Sequence, residues 1–174
     1  MNIEIRRANT GDAALISTLS AVTFSDTFRG TCTDDDLEQF IDRYFVKEQV
    51  YKELQDPFDF YFIAVINNEP VGYLRMKEES TDVPAIKKYK AIELKRIYVL
   101  KKYQHMKAGA ALMKFALGFA AEKNYEVVWL GVWEHNERAK SFYGKWGFED
   151  TGFTHPFPIG STPQTDQWYM KVIK

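Results

Sequence analysis

The chain has a single cysteine, Cys32, so it cannot close a disulfide within itself, which favours a reducing compartment. No apolar run approaches the roughly 20 residues that a membrane-spanning helix requires. The opening Met-Asn-Ile-Glu lacks the apolar core of a secretory signal, so the expected location is the cytoplasm. Three histidines, His105, His135 and His155, do not have metal-ligand spacing, so no metal is expected. A net charge of -1 argues against nucleic acid as the partner of the whole chain. Internal repeats, low-complexity tracts and linkers are absent. The 174 residues fit one domain, 1–174, able to bury roughly 70% of its unfolded surface.

A local absence is more informative. Between Leu94 and Ala121 there is no Asp or Glu, while Lys95, Arg96, Lys101, Lys102, Lys107 and Lys114 fall there, with His105. Residues 31 to 60 invert this balance, with nine acids against three bases. One segment suits an anion and the other suits cations.

What is present reads as alternating strands and helices. Ile3 to Arg7 is a short strand. Asn9-Thr10-Gly11-Asp12 is a turn opening a helix with Ala14, Leu15, Leu19 and Val22 expected inward. A second helical stretch runs from about Asp34 to Tyr44, and Asp56-Pro57 ends that helical region. Phe58 to Ile66 and Val71 to Met76 form a hairpin around Asn67-Asn68-Glu69-Pro70. In the next strand, Ile92 and Leu94 are apolar at even positions, but Ile97 and Val99 at odd ones. Strand alternation has a strict period of two, so an extra residue, a bulge, is expected between them. Lys107 to Lys123 is an amphipathic helix with Ala108, Leu112, Phe115, Ala116 and Phe119 inward. Strand Glu126 to Trp133, helix Asn136 to Lys145, and strands near Phe148 to Thr154 and Gln167 to Ile173 complete a mixed α/β layer fold around one sheet.

The helix near Lys107 begins with a base where an isolated helix prefers an acid. Ala108, Gly109, Ala110 and Ala111 keep its first turn bare, so an anion could approach the backbone N–H groups; an ordinary basic face is the plainer reading. Gln104-His105-Met106-Lys107-Ala108-Gly109 resembles the Gln/Arg-x-x-Gly-x-Gly/Ala signature of the GNAT superfamily of N-acetyltransferases, with Lys107 in place of the first glycine. Asn136, Ala139, Phe142 and Tyr143, followed by Gly147-Phe148, resemble the family's second block. The two blocks occur in the family's order, joined by a helix and a strand.

This resemblance implies a mostly antiparallel mixed sheet with a splayed, bulged central strand and flanking helices. It implies that acetyl-CoA lies with its pyrophosphate on Gln104, His105, Met106, Lys107, Ala108 and Gly109. The pantetheine arm would lie along Ile97, Tyr98 and Val99, with Asn136 contacting the CoA arm. Tyr143 would sit beside the departing sulfur, and Glu93, at the spacing of the strand glutamate of several relatives, would be the general base. Plainer readings are a helix N-cap for Asn136, a core aromatic for Tyr143 and a solvent-facing strand residue for Glu93. The chemistry fits these groups. An alkyl amine with a pKa of about 10.4 is protonated near neutrality, and only its neutral form attacks a thioester. A carboxylate can take that proton, and a phenol can protonate the leaving thiolate.

The chain also resembles the bacterial spermidine/spermine acetyltransferases through Thr23-Phe24-Ser25-Asp26-Thr27-Phe28, Leu130-Gly131-Val132-Trp133-Glu134 and Gln164-Thr165-Asp166. That implies a polyamine bound by carboxylates and aromatic faces, with Phe24, Asp26, Phe28, Asp34, Asp35 and Asp36 on the acceptor side. The acidic run also reads as a solvated helix face. Peptide α-amines, lysine side chains and aminoglycosides are rival acceptors, and a non-catalytic acyl-CoA sensor is the rival class. Many relatives dimerise, so a homodimer is expected from the resemblance.

Overall fold

The computed structural model describes residues 2–174. Seven strands form one sheet in the order β1-β2-β3-β4-β5-β7-β6. They are β1 (Ile3–Arg7), β2 (Asp59–Ile66), β3 (Glu69–Lys77), β4 (Ala91–Val99), β5 (Val127–Trp133), β6 (Glu149–Pro156) and β7 (Thr165–Val172). Every pairing is antiparallel except that of β4 with β5. Helices α1 (Ala13–Phe28), α2 (Asp34–Tyr44), α3 (Lys47–Gln55), α4 (Ala108–Glu122) and α5 (Glu137–Lys145) flank the sheet.

Both faces of the sheet are covered, which explains the near-continuous apolar run of β2. On one face α4 lays Ala108, Leu112, Met113, Ala116 and Ala120 against Leu74, Met76, Ile92 and Val128. Phe115 and Phe119 sit at the border of this core and pack on Phe62. On the other face Ala13, Ile16 and Leu19 of α1 meet Val50 of α3 and Tyr61, Ile63 and Tyr73 of the sheet. An aromatic cluster of Phe24, Phe28, Phe40, Phe45, Trp133 and Phe157 closes one end.

Three details differ from the sequence expectations. The inward stripe of α1 is Ala13, Ile16, Leu19, Ser20, Thr23, Phe24 and Phe28; of the expected four, only Leu19 is fully buried, while Ala14 and Val22 are exposed. The helix is apolar on much of its circumference, so its composition permits more than one stripe, and the aromatic cluster selects the one carrying Phe24 and Phe28. The hairpin turn is the shorter Asn67-Asn68, both with positive φ (50° and 64°). That geometry matches the twist of a two-residue hairpin and is one that asparagine tolerates. The helical region before Pro57 is two helices, α2 and α3, broken at Phe45-Val46.

The bulge is present and sits at Lys95: Arg96 pairs with Arg75 and Leu94 with Met76, leaving Lys95 unmatched. The next residue along is fixed from behind. Arg96 donates to the Tyr61 hydroxyl at 3.2 Å and lies over the Phe45 ring at 4.6 Å. Tyr61 in turn donates to Glu53 at 2.5 Å. Glu53 and Asp59 flank the buried Arg75, at 3.3 and 2.6 Å. This network ties α3 to β2, β3 and β4 beside the bulge.

Candidate active site

The β4–β5 ladder covers only Ala91, Ile92 and Glu93, opposite Val127, Val128 and Trp129. Beyond Glu93 the two strands part, and the residues after the bulge border a cavity of about 770 Å³. The cavity therefore opens where parallel pairing ends, and the backbone groups of Ile97, Tyr98 and Val99 on the β5 side have no strand partner there. Their other edge is paired with Leu74, Tyr73 and Gly72.

One stretch of the cavity wall is the loop leading into α4. Residues Lys101–Met106 form a short 3-10 helix, and Lys107 then adopts a left-handed conformation with φ 63° and ψ 10°. The lysine thus keeps the positive φ that a glycine would supply at this place. No side chain caps α4, and its first turn holds no acid, so its leading N–H groups are free to meet an anion. Gln104, His105, Lys107, Gly109 and Ala110 all line the cavity. Met106 and Ala108 do not, and Ala108 is fully buried in the core. Gln104 donates to the Val99 carbonyl at 3.2 Å, fastening the loop to β4. A Cβ on Gly109 would come no closer than 3.9 Å to Phe142, so packing within the chain leaves space at that position.

Asn136 lines the cavity and also caps α5, its Oδ1 accepting from Ala139 N at 3.1 Å. Tyr143, one turn and a half along α5, lines the cavity and is 9% exposed. Burial, then the negative charge of Asp166, pushes its phenol well above the usual tyrosine value. Glu93 lines the cavity from β4 and is 6% exposed, not solvent-facing. Its carboxylate accepts from Lys95 at 3.0 Å, and the same ammonium reaches Glu79 at 2.8 Å. Burial raises the Glu93 carboxyl against the pull of Lys95.

The remaining wall is aromatic. Phe24, Phe28, Trp133, Phe157 and Trp168 line it, with Asp26. The acidic run does not join them. Asp36 is 8% exposed and accepts from Ser161 N (3.1 Å), Ser161 Oγ (2.9 Å) and Thr162 Oγ1 (2.9 Å), pinning the loop before β7. Those bonds hold its carboxyl below the usual range. Asp34 is exposed and paired with Arg29 at 3.1 Å, and Asp35 is exposed. None of the three lines the cavity, because Asp36 faces the Ser161–Thr162 loop and the other two face water.

Sequence reasoning passed over one carboxylate that does line it. Asp166 of β7 stands in register with Trp133 of β5 and His155 of β6. Gly131 makes the room: a Cβ there would lie 3.0 Å from Asp166 Oδ2 and 2.8 Å from the Trp168 ring. Burial, reinforced by the charge of Glu93, pushes the Asp166 carboxyl up to about 7. Its signal in the sequence was Gln164-Thr165-Asp166, one of the segments resembling the polyamine acetyltransferases, from which no role for Asp166 was assigned.

Among the described residues there is no cluster of three or more potential metal ligands and no helix long and apolar enough to cross a membrane. The family model of the Acetyltransferase (GNAT) family matches residues 23–148. An uncharacterized N-acetyltransferase in the pepI 3' region of Lactobacillus delbrueckii subsp. lactis is 32% identical over 172 residues, 98% of each chain. The spermidine N(1)-acetyltransferase of Thermoplasma acidophilum is 29% identical over 157 residues, covering 87% of this chain and 92% of that one. The crystal structure of a PaiA N-acetyltransferase from Thermoplasma acidophilum in complex with coenzyme A shares the fold, with a TM-score of 0.79 at 22% identity over 99% of both chains. The bare helix start, the parted strands and the matching family model converge on one conclusion: the chain belongs to the GNAT family and is an acetyl-CoA-dependent N-acetyltransferase.

Proposed function

We propose that the enzyme acetylates a primary amine of a polyamine such as spermidine or spermine, by direct attack of the amine on the thioester. The observation that carries this reading is the composition of the cavity wall away from the α4 loop: Asp26, Glu93 and Asp166 set among Phe24, Phe28, Trp133 and Trp168. Carboxylates and ring faces are what a flexible polycation requires. The likeness to a spermidine N(1)-acetyltransferase supports the same acceptor. The acceptor side in this reading is Phe24, Asp26 and Phe28, without Asp34, Asp35 and Asp36.

In this reading acetyl-CoA lays its phosphates on the N-terminus of α4 and its arm along the unpaired edge of β4. Unpaired N–H groups of that edge polarise the thioester carbonyl. Tyr143 protonates the departing thiolate, and a cavity carboxylate takes the ammonium proton. Glu93 is the carboxylate that the strand spacing suggests, and Asp166 is the second. The enzyme works in the cytoplasm as a homodimer of single-domain subunits, without metal.

Thiol release from acetyl-CoA, measured with spermidine, spermine, a peptide with a free N-terminus and an aminoglycoside, tests the proposal. Spermidine or spermine should exceed the others at least tenfold in kcat/KM. A peptide as the best acceptor would overturn the polyamine assignment. Binding of acetyl-CoA with no release for any amine would leave an acyl-CoA sensor instead.

A further inference from the structure

We infer that Asp166, not Glu93, accepts the proton of the acceptor amine, and that Glu93 is a positioning residue whose fixed charge faces it. The inference rests on the acetyl-transfer reading above and names one of its catalytic groups.

The two carboxylates differ in their partners. Glu93 is engaged: Lys95 holds it at 3.0 Å and is itself held by Glu79 at 2.8 Å. For Glu93 to take a proton from an incoming ammonium, it must give up the charge attraction of that ion pair. Among the described residues no Lys, Arg or His lies within ion-pair distance of Asp166, and its side chain takes part in no hydrogen bond. Asp166 is half-buried; leaving a partly desolvated carboxylate uncompensated is costly, and such an arrangement is expected where a ligand cation completes it.

Neighbouring strands build the surroundings of Asp166. Asp166 and Trp168 alternate onto the same face of β7, beside Gly131 and Trp133 of β5, and all four line the cavity. A side chain at position 131 would strike both Asp166 and Trp168. His155 of β6 stands opposite Asp166 in register, and Asp166 is within charge range of Glu93 and Tyr98 from β4 and Tyr143 from α5. The acid proposed to protonate sulfur and the base proposed to deprotonate nitrogen therefore act on each other through one cavity. A carboxyl near 7 suits the role, since a general base works best when its pKa lies near the operating pH.

The ammonium gives one proton to the Asp166 carboxylate. The neutral nitrogen attacks the thioester carbon, forming the C–N bond. Collapse of the tetrahedral intermediate breaks the C–S bond, and the sulfur takes the Tyr143 proton. The nitrogen's surplus proton restores the phenol, and Asp166 releases its proton to water. Each ammonium and acetyl-CoA yield one amide, one CoA thiol and one proton.

The test compares Asp166→Asn with Glu93→Gln, using spermidine and acetyl-CoA across pH 5 to 10. Asp166→Asn should lower kcat at pH 7 by about a hundred- to ten-thousandfold, with KM for spermidine raised by a much smaller factor and Kd for CoA changed less than threefold. The defect should shrink as alkaline pH supplies neutral amine. Glu93→Gln should retain the acid limb of the wild-type profile but move it to lower pH, because a negative charge has left the neighbourhood of Asp166. Loss of that limb in Glu93→Gln, with its survival in Asp166→Asn, would overturn the inference. So would an Asp166→Asn enzyme whose KM for spermidine rises while kcat holds, since that describes binding of the cation only. Titration of the Asp166 carboxyl in the wild-type protein by carbon NMR needs neither variant nor turnover: an ordinary value below about 5 would overturn the inference. Failure of the wild-type enzyme to acetylate any amine would instead remove the functional reading beneath it.

Discussion

Tyr143 reaches the cavity because Asn136 starts α5 and the helix turns twice before its C-terminus. Phe142 and Tyr143 then project together, their rings 5.6 Å apart, with Phe148 against the Tyr143 ring at 5.9 Å. Tyr143→Phe removes one oxygen and leaves those contacts in place. If the hydroxyl acts on the leaving thiolate, its contribution is made in the transition state alone. Kcat should then fall about ten- to a thousandfold while the Kd for CoA stays within twofold. Unlike that of Asp166→Asn, this defect should persist at alkaline pH. A single-turnover measurement showing wild-type kcat would assign the tyrosine to packing. Tyr143 was legible in the sequence because its block is local: Asn136, Ala139 and Phe142 lie within one short helix. Asp166 was not, because its setting is made by Gly131 on another strand and Glu93 on a third. The role of Asp36 was hidden for the same reason, its partner Ser161 lying 125 positions further along.

At the scale of elements, the parity switch between Leu94 and Ile97 located the bulge, since a period of two leaves a single extra residue nowhere else to go. The stripe of α1 could not be read in this way. A helix apolar on several sides is oriented by its neighbours, here the rings of Phe40, Phe45 and Phe157 around Phe24. The loop before α4 sets a sharper problem. Lys107 accepts a left-handed conformation that costs a residue with a side chain roughly 1–2 kcal/mol, and glycine there would relieve it at some cost in backbone entropy. In the proposed reading the ammonium of this lysine meets the CoA phosphates. Lys107→Gly should therefore keep or raise the melting temperature while weakening CoA binding about two- to fivefold at low ionic strength, the worth of one exposed ion pair. The difference should close at high salt, where screening shortens the charge interaction to a few ångströms. Calorimetric titration at two ionic strengths reads both effects, and unchanged affinity at low salt would detach Lys107 from the phosphates.

For the whole molecule, the parted β4 and β5 mean that the sheet is continuous through only three paired positions at its centre. On one side lie β1, β2 and β3, and on the other β7 and β6. The covering helices α4 and α1 hold the halves together, but the strand ends beyond Glu93 and Trp129 have no ladder between them. An acetyl-CoA arm lying along Ile97, Tyr98 and Val99 would supply hydrogen bonds to the open edge and fill the gap, so the cofactor should act as a structural brace. Saturation at one hundred times Kd stabilises a folded state by about 2.7 kcal/mol through mass action alone. For a chain of this size that is a rise in melting temperature of roughly 5–11 °C. The distribution of the effect is the more telling quantity. Amide hydrogen exchange should slow most at residues 97 to 99 of β4 and 108 to 111 of α4, while β1 and β2, already paired and distant, should gain only the global increment. Protection spread evenly over the chain, with no excess at β4 and α4, would mean that CoA binds without bridging the two halves, and the pantetheine arm would have to lie elsewhere in the cavity.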